Sequence, residues 1–128
     1  MTKPKRVVDR VLLGLVFMVA ALWGLVVGGG GPDNAAAAAF IEALEGAGLF
    51  HVIKTIEFIS GLALVTGRYV PLALCLLAPV LLCIVFFHAT LELSGLPFAL
   101  VLAGLWAAVA SAHREAFSAL LQAKPTPS

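Results

Sequence analysis

Charge is scarce in this chain. Of 128 residues, 8 are Lys or Arg and 7 are Asp or Glu, so 12% are charged, where a soluble domain carries about 25%. The net charge of +1 leaves no surplus that would point to nucleic acid as a partner. Cysteine is nearly absent as well. Cys75 and Cys83 are the only two, and both sit in one apolar run. Eight residues on a helix separate them by about 12 Å, whereas a disulfide needs Cα atoms about 4.4–6.8 Å apart. That spacing excludes a bridge within the helix. Two cysteines also supply no zinc framework, and no metal site is expected.

Apolar side chains are abundant instead, at 62% of the chain. A soluble core of this size has no room for them, so lipid must cover the excess. Four apolar stretches stand out, at 11–27, 49–66, 69–87 and 96–112. A spanning helix needs about 17–25 residues, and each stretch reaches that length with its flanks. The expected spans are about 9–28, 48–66, 69–88 and 96–112 in a single domain of residues 1–128. The first run is longer than the core of a signal peptide and reads as a span.

The connections suit an antiparallel bundle. Gly67-Arg68 makes a very tight turn, with Gly67 fit for a left-handed cap and Pro71 for the first turn of the next helix. Pro79 falls mid-span, where it removes a helical hydrogen bond and should kink the helix. In the first long loop, Pro32-Asp33-Asn34 supplies a turn and an N-cap for a short helix at about 34–45. Phe40, Ile41 and Leu44 gather on one side of it, with Glu42 and Glu45 opposite, a pattern suited to a membrane interface. Gly24 and Gly28 on the first span, and Ala99, Ala103, Ala107 and Ser111 on the fourth, form small-residue steps at which helix backbones approach closely.

Lys and Arg set the expected orientation. Lys3, Lys5, Arg6 and Arg10 precede the first span, Arg68 joins the second to the third, and Arg114 and Lys124 follow the fourth. The other two loops carry Asp33, Glu42, Glu45 and Glu92 and no cation. The reading is an all-α integral membrane four-helix bundle with both termini cytoplasmic. The short interfacial helix then lies in the first extracytoplasmic loop.

The second span holds the unusual residues. His51, Lys54 and Glu57 recur every three positions and share a helix face. Glu57 lies about 13 Å along the helix from Gly48, near mid-membrane, where a charge costs at least about 2.5–3.5 kcal/mol. Lys54 is long enough to snorkel outward, but Glu57 is not. Glu57 must therefore be paired, hydrogen-bonded or protonated. His88 closes the third span at the same side, with Glu92 just beyond. Together, His51, Lys54, Glu57, His88 and Glu92 outline a candidate polar pocket in the outer half of the bilayer.

The same stretch carries a family resemblance. Lys54-Thr55-Ile56-Glu57, Gly67-Arg68-Tyr69-Val70-Pro71-Leu72-Ala73 and Ala78-Pro79, continuing to Phe87-His88, resemble the DoxX family of small four-helix bacterial membrane proteins. The likeness covers the second and third spans by motif and the others by topology. Two positions depart from the family pattern: Cys83 stands where an Asn is expected, and Trp23-Gly24-Leu25 where the first span often carries a Lys. The resemblance implies a bacterial inner-membrane protein associated with quinone-linked oxidoreduction, a quinone as the cofactor, and other membrane or redox subunits or a homo-oligomer as partners besides the lipid bilayer. Glu57, Lys54 and His88 have the chemistry to relay protons. Read without the resemblance, the residues also allow three alternatives. These are a non-catalytic scaffold or accessory subunit, a protein handling lipids or small molecules, and a haem protein ligated by His51 and His88.

The distribution of Lys and Arg predicts that cysteine introduced at Glu42 is labelled by an impermeant maleimide in intact cells, while tags at both termini and at Arg68 stay protected. Protection at Glu42 with labelling at the termini overturns the orientation.

Overall fold

The computed structural model describes residues 4–28 and 34–127. Lys3, the side chain of Lys5, and the Pro32-Asp33 part of the expected turn lie outside the described residues. Helices α1 (Pro4–Val27), α2 (Ala35–Gly46), α3 (Leu49–Thr66), α4 (Val70–Thr90), α5 (Leu96–Ala112) and α6 (Arg114–Ser118) account for most of the described chain, with no strand among the described residues. Short 3-10 turns cover Leu93–Gly95 and Ala119–Leu121. The chain is a multi-pass membrane protein by the length and apolarity of four helices, α1, α3, α4 and α5.

These four close into a ring. α1 packs against α3 and α5, and α4 packs against the same two from the other side. Leu13 and Phe17 of α1, Leu64 of α3, Leu74 and Leu77 of α4 and Leu102 of α5 meet in the centre, all fully or almost fully buried. The outer faces stay apolar, as Val26, Leu82 and Val101 illustrate. In water such surface opposes folding, but in lipid it carries no penalty.

Two glycines set the distance between α1 and α3. A Cβ placed on Gly14 would stand 2.7 Å from the carbonyl oxygen of Gly61, and one on Gly61 would stand 2.7 Å from the carbonyl of Gly14. The helices therefore cross backbone against backbone, which no larger residue permits. The step expected at Gly24 and Gly28 meets side chains rather than backbone. Gly24 faces the aliphatic stem of Lys54, and Gly28, at φ 92°, faces Glu45. On α5, Ala99 is buried, Ala103 packs on the core, and Ala107 is exposed.

The α3–α4 turn compresses two left-handed residues into three positions, Gly67 at φ 75° and Tyr69 at φ 55°. The Gly67 and Arg68 amides both return to the Ala63 carbonyl, closing the helix end. The Arg10 side chain lies against Gly67, so a side chain there would collide as well as strain the backbone. α4 runs through Pro79 without a break. Proline leaves the Cys75 carbonyl without its usual donor, and at the adjacent Leu74 carbonyl the Trp106 indole donates a hydrogen bond of 3.0 Å from α5. At the other end, Asn34 caps α2 by accepting from Ala36 and Ala37, and its amide donates to the Leu91 carbonyl after α4. The two loops at that end are thereby tied together.

Gly61→Ala is expected to destabilise the bundle by about 1–3 kcal/mol, the usual cost of overpacking. Gly104→Ala, on open α5 surface, is expected to be neutral or to stabilise by about 0.5–1 kcal/mol. Thermal or detergent unfolding of the two variants side by side checks this. Equal effects would mean that the α1–α3 crossing is not tight.

Candidate functional site

Lys54 and Glu57 lie one turn apart on α3, and the lysine Nζ meets Glu57 Oε2 at 2.9 Å. The glutamate side chain is 2% exposed and the lysine side chain 18%. Their proximity follows from helix geometry, since residues three apart are neighbours on one face. The direction of the lysine does not. Rather than snorkelling away along the helix, it lies across Gly24 of α1, and its ammonium rests 5.4 Å from the centre of the Phe50 ring. Any side chain at position 24 would occupy the path of the lysine stem. The absence of one lets the cation reach a carboxylate that is too short to reach out.

Two largely apolar cavities flank the pair. The first, of about 710 Å3, lies towards α1 and includes Val16, Trp23, Gly24 and Phe98. The second, of about 460 Å3, lies between α3 and α4 and includes Glu57, Pro79, Cys83 and Ile84. They share Ile41, Phe50, Lys54, Phe87 and His88 as common walls. Lys54 thus faces both spaces, whereas Glu57 lines only the second. Both spaces include residues exposed on the outside of the bundle, Trp23 and Phe98 on one side and Pro79 and Cys83 on the other. In a membrane those openings face lipid.

Helix α2 forms part of these walls. Phe40, Ile41 and Leu44 line the α3–α4 cavity, and the Phe40 and Phe87 rings stack at 5.7 Å between centroids. The apolar side of α2 is thus turned towards the bundle, where it forms cavity wall at the end occupied by Val27, Leu49 and Thr90.

Of the five sequence-identified residues, Lys54, Glu57 and His88 line the α3–α4 cavity, and Glu92 lines the other together with Lys54 and His88. His51 is exposed and lines neither space. Its ring lies edge-on to that of Phe50, at 6.1 Å between centroids. His88 is held by its own loop. Its Nδ1 donates to the Glu92 carbonyl at 3.1 Å and stands 3.9 Å from that residue's carboxylate. Gly95 supplies the room in which the imidazole lies. No hydrogen bond joins His88 to Lys54 or Glu57 among the described residues, so the shared cavity, not a direct contact, brings them together.

Sequence reasoning missed the part played by Gly24 and the residues of α2. Gly24 was visible as a small residue, but only the α1–α3 register shows that its partner is a lysine stem. One further group, Ser60, is 1% exposed and its hydroxyl has no hydrogen-bond partner among the described residues. It lies one turn beyond Glu57 on the same inward stripe.

Removing Lys54 alone (Lys54→Leu) leaves a buried carboxylate without its cation and is expected to cost about 3–5 kcal/mol. Replacing both, as Lys54→Leu with Glu57→Leu, is expected to recover most of that loss. Unfolding of the two single variants and the double variant measures the coupling. Additive losses would mean that the two groups do not act as a pair. Comparison with protein-family models, with curated proteins and with solved structures finds no match for this chain, so its role has to be read from these side chains.

Proposed function

We propose that the protein is a DoxX-like membrane subunit of the bacterial inner membrane, with both termini cytoplasmic. In this reading it holds an amphipathic molecule of the isoprenoid quinone class and supports quinone-linked oxidoreduction. The observation that carries the proposal is the placement of the Lys54–Glu57 pair between two apolar cavities with lipid-facing sides. A quinone needs an apolar slot for its ring and tail, and polar hydrogens near its carbonyl oxygens. The Lys54 ammonium supplies such hydrogens, and the His88 imidazole stands on the same wall. Glu57 balances the lysine charge, so a neutral ligand meets no uncompensated ion. Helix α2, at the outer interface in this orientation, covers the mouth and keeps water from the pair.

A second reading is favoured by the contact between Gly24 and the Lys54 stem. That contact makes the pair part of the α1–α3 interface, as expected of a scaffold or accessory subunit in which the ions set helix register.

The experiment is quinone extraction from the purified protein, with and without the double substitution Lys54→Leu and Glu57→Leu. Stoichiometric quinone in the native protein, absent from a folded double variant, is the expected result. His88→Ala is expected to lose part of it. A folded double variant with undiminished quinone content would falsify the ligand-binding reading and leave the pair as a packing device.

A further inference from the structure

The opposite end of the bundle, where α1 begins and α5 ends, carries a further hollow that the pair does not touch. Its volume is about 590 Å3, and Arg6 of α1 faces Ser111, His113, Arg114 and Glu115 across it. Neither Arg6 nor Arg114 forms an ion pair or a side-chain hydrogen bond among the described residues. Two guanidinium groups thus share one concavity with a single carboxylate, Glu115. The His113 ring is fixed by its Nδ1, which donates to the Val109 carbonyl at 3.1 Å.

The surroundings define what fits. The hollow lies at the ends of two membrane-length helices, at the level of lipid headgroups. Ser111 forms part of its wall, and one turn towards mid-membrane on the same α5 face lie Ala107 and Ala108, small and exposed. On the α1 side, Val8 is exposed. On the other side, Leu120 and Leu121 project at 68% and 84% exposure. A polar, cationic hollow therefore continues into apolar surface in the direction in which acyl chains run.

We infer that this hollow is a binding site for one anionic phospholipid. Arg6 and Arg114 hold its phosphate, and its chains lie along the Ala107–Ala108 strip of α5. Guanidinium groups suit phosphate because their planar fork donates two parallel hydrogen bonds. The apolar continuation selects a lipid over free phosphate, which would use the arginines alone. The inference concerns residues remote from the Lys54–Glu57 cavities and stands whichever way that site is read.

The test is native mass spectrometry of the full-length protein released from detergent, with phosphatidylglycerol or phosphatidylcholine of equal chain length added. Preferential retention of one phosphatidylglycerol is expected. It should fall about fivefold in Arg6→Gln or Arg114→Gln and about thirtyfold in the double variant. Arg68→Gln removes an exposed cation at the same end but outside the hollow, and should leave retention unchanged. Lys54→Leu with Glu57→Leu should do the same. Inorganic phosphate at millimolar concentration should not displace the lipid. Equal retention of the two lipids would overturn the site. So would a loss in Arg68→Gln as large as in the hollow variants, because it would show diffuse charge attraction. Displacement by phosphate would show an anion site without a role for the acyl chains, and would overturn the lipid assignment.

Discussion

The close approach of α1 and α3 governs much of this molecule. Gly14 and Gly61 meet backbone to backbone, and the crossing fixes what happens along the rest of the two helices. On one side of it, Leu13 and Phe17 enter the core beside Leu64. Further towards α2, the same register brings Gly24 over Lys54. In lipid there is no general hydrophobic force to press helices together, so shape and short polar contacts decide the register. A bundle that separated at Gly14 would lose its packing and also the surface that holds the lysine in place.

That surface resolves the conflict in α3, an apolar helix with two opposite charges near its middle. A carboxylate in hydrocarbon is tolerated when a cation reaches it and water does not compete. The lysine reaches it because α1 offers no side chain at position 24. Phe50, Phe87 and Ile41 of α2 give its surroundings apolar walls. The pair is therefore part of the packing between helices, and its lysine, with His88, is a polar group that the two cavities share. Lys54 belongs to both spaces and Glu57 to one, so a molecule in either cavity would have the lysine in its wall.

The two ends of the bundle differ in character. The end with α2 carries Glu42, Glu45 and Glu92 around apolar cavities, and Asn34 binds its two loops to one another. The other end has a turn of only three residues, and Arg6, Arg10, Arg68 and Arg114 surround it. Arg10 settles against Gly67, where its Nε is buried without a hydrogen-bond partner among the described residues. Arg6 and Arg114 instead face a concavity. Cations that look equivalent along the chain thus have separate surroundings.

Four apolar stretches, a left-handed glycine at position 67 and an N-cap at Asn34 were legible in the chain itself, because each depends on local composition or on the conformational limits of one residue. The proximity of Lys54 to Glu57 was legible for the same reason, since three residues of helix place them on one face. What Lys54 does with its length was not. Snorkelling and pairing are equally open to an isolated helix, and only the glycine on α1 selects between them. Likewise, the Gly24–Gly28 step reads as a helix contact in one dimension, although the true backbone contact lies at Gly14 and Gly61. The apolar face of α2 reads in one dimension as suited to an interface, and only its docking against α3 and α4 shows that Phe40, Ile41 and Leu44 also line a cavity. His51 matches the spacing of the site yet points outward. Where helices form and which of their faces are polar can be read along the chain, because both depend on neighbours a few residues away. Tertiary structure alone decided which polar groups share a space, because that depends on how closely separate helices can approach.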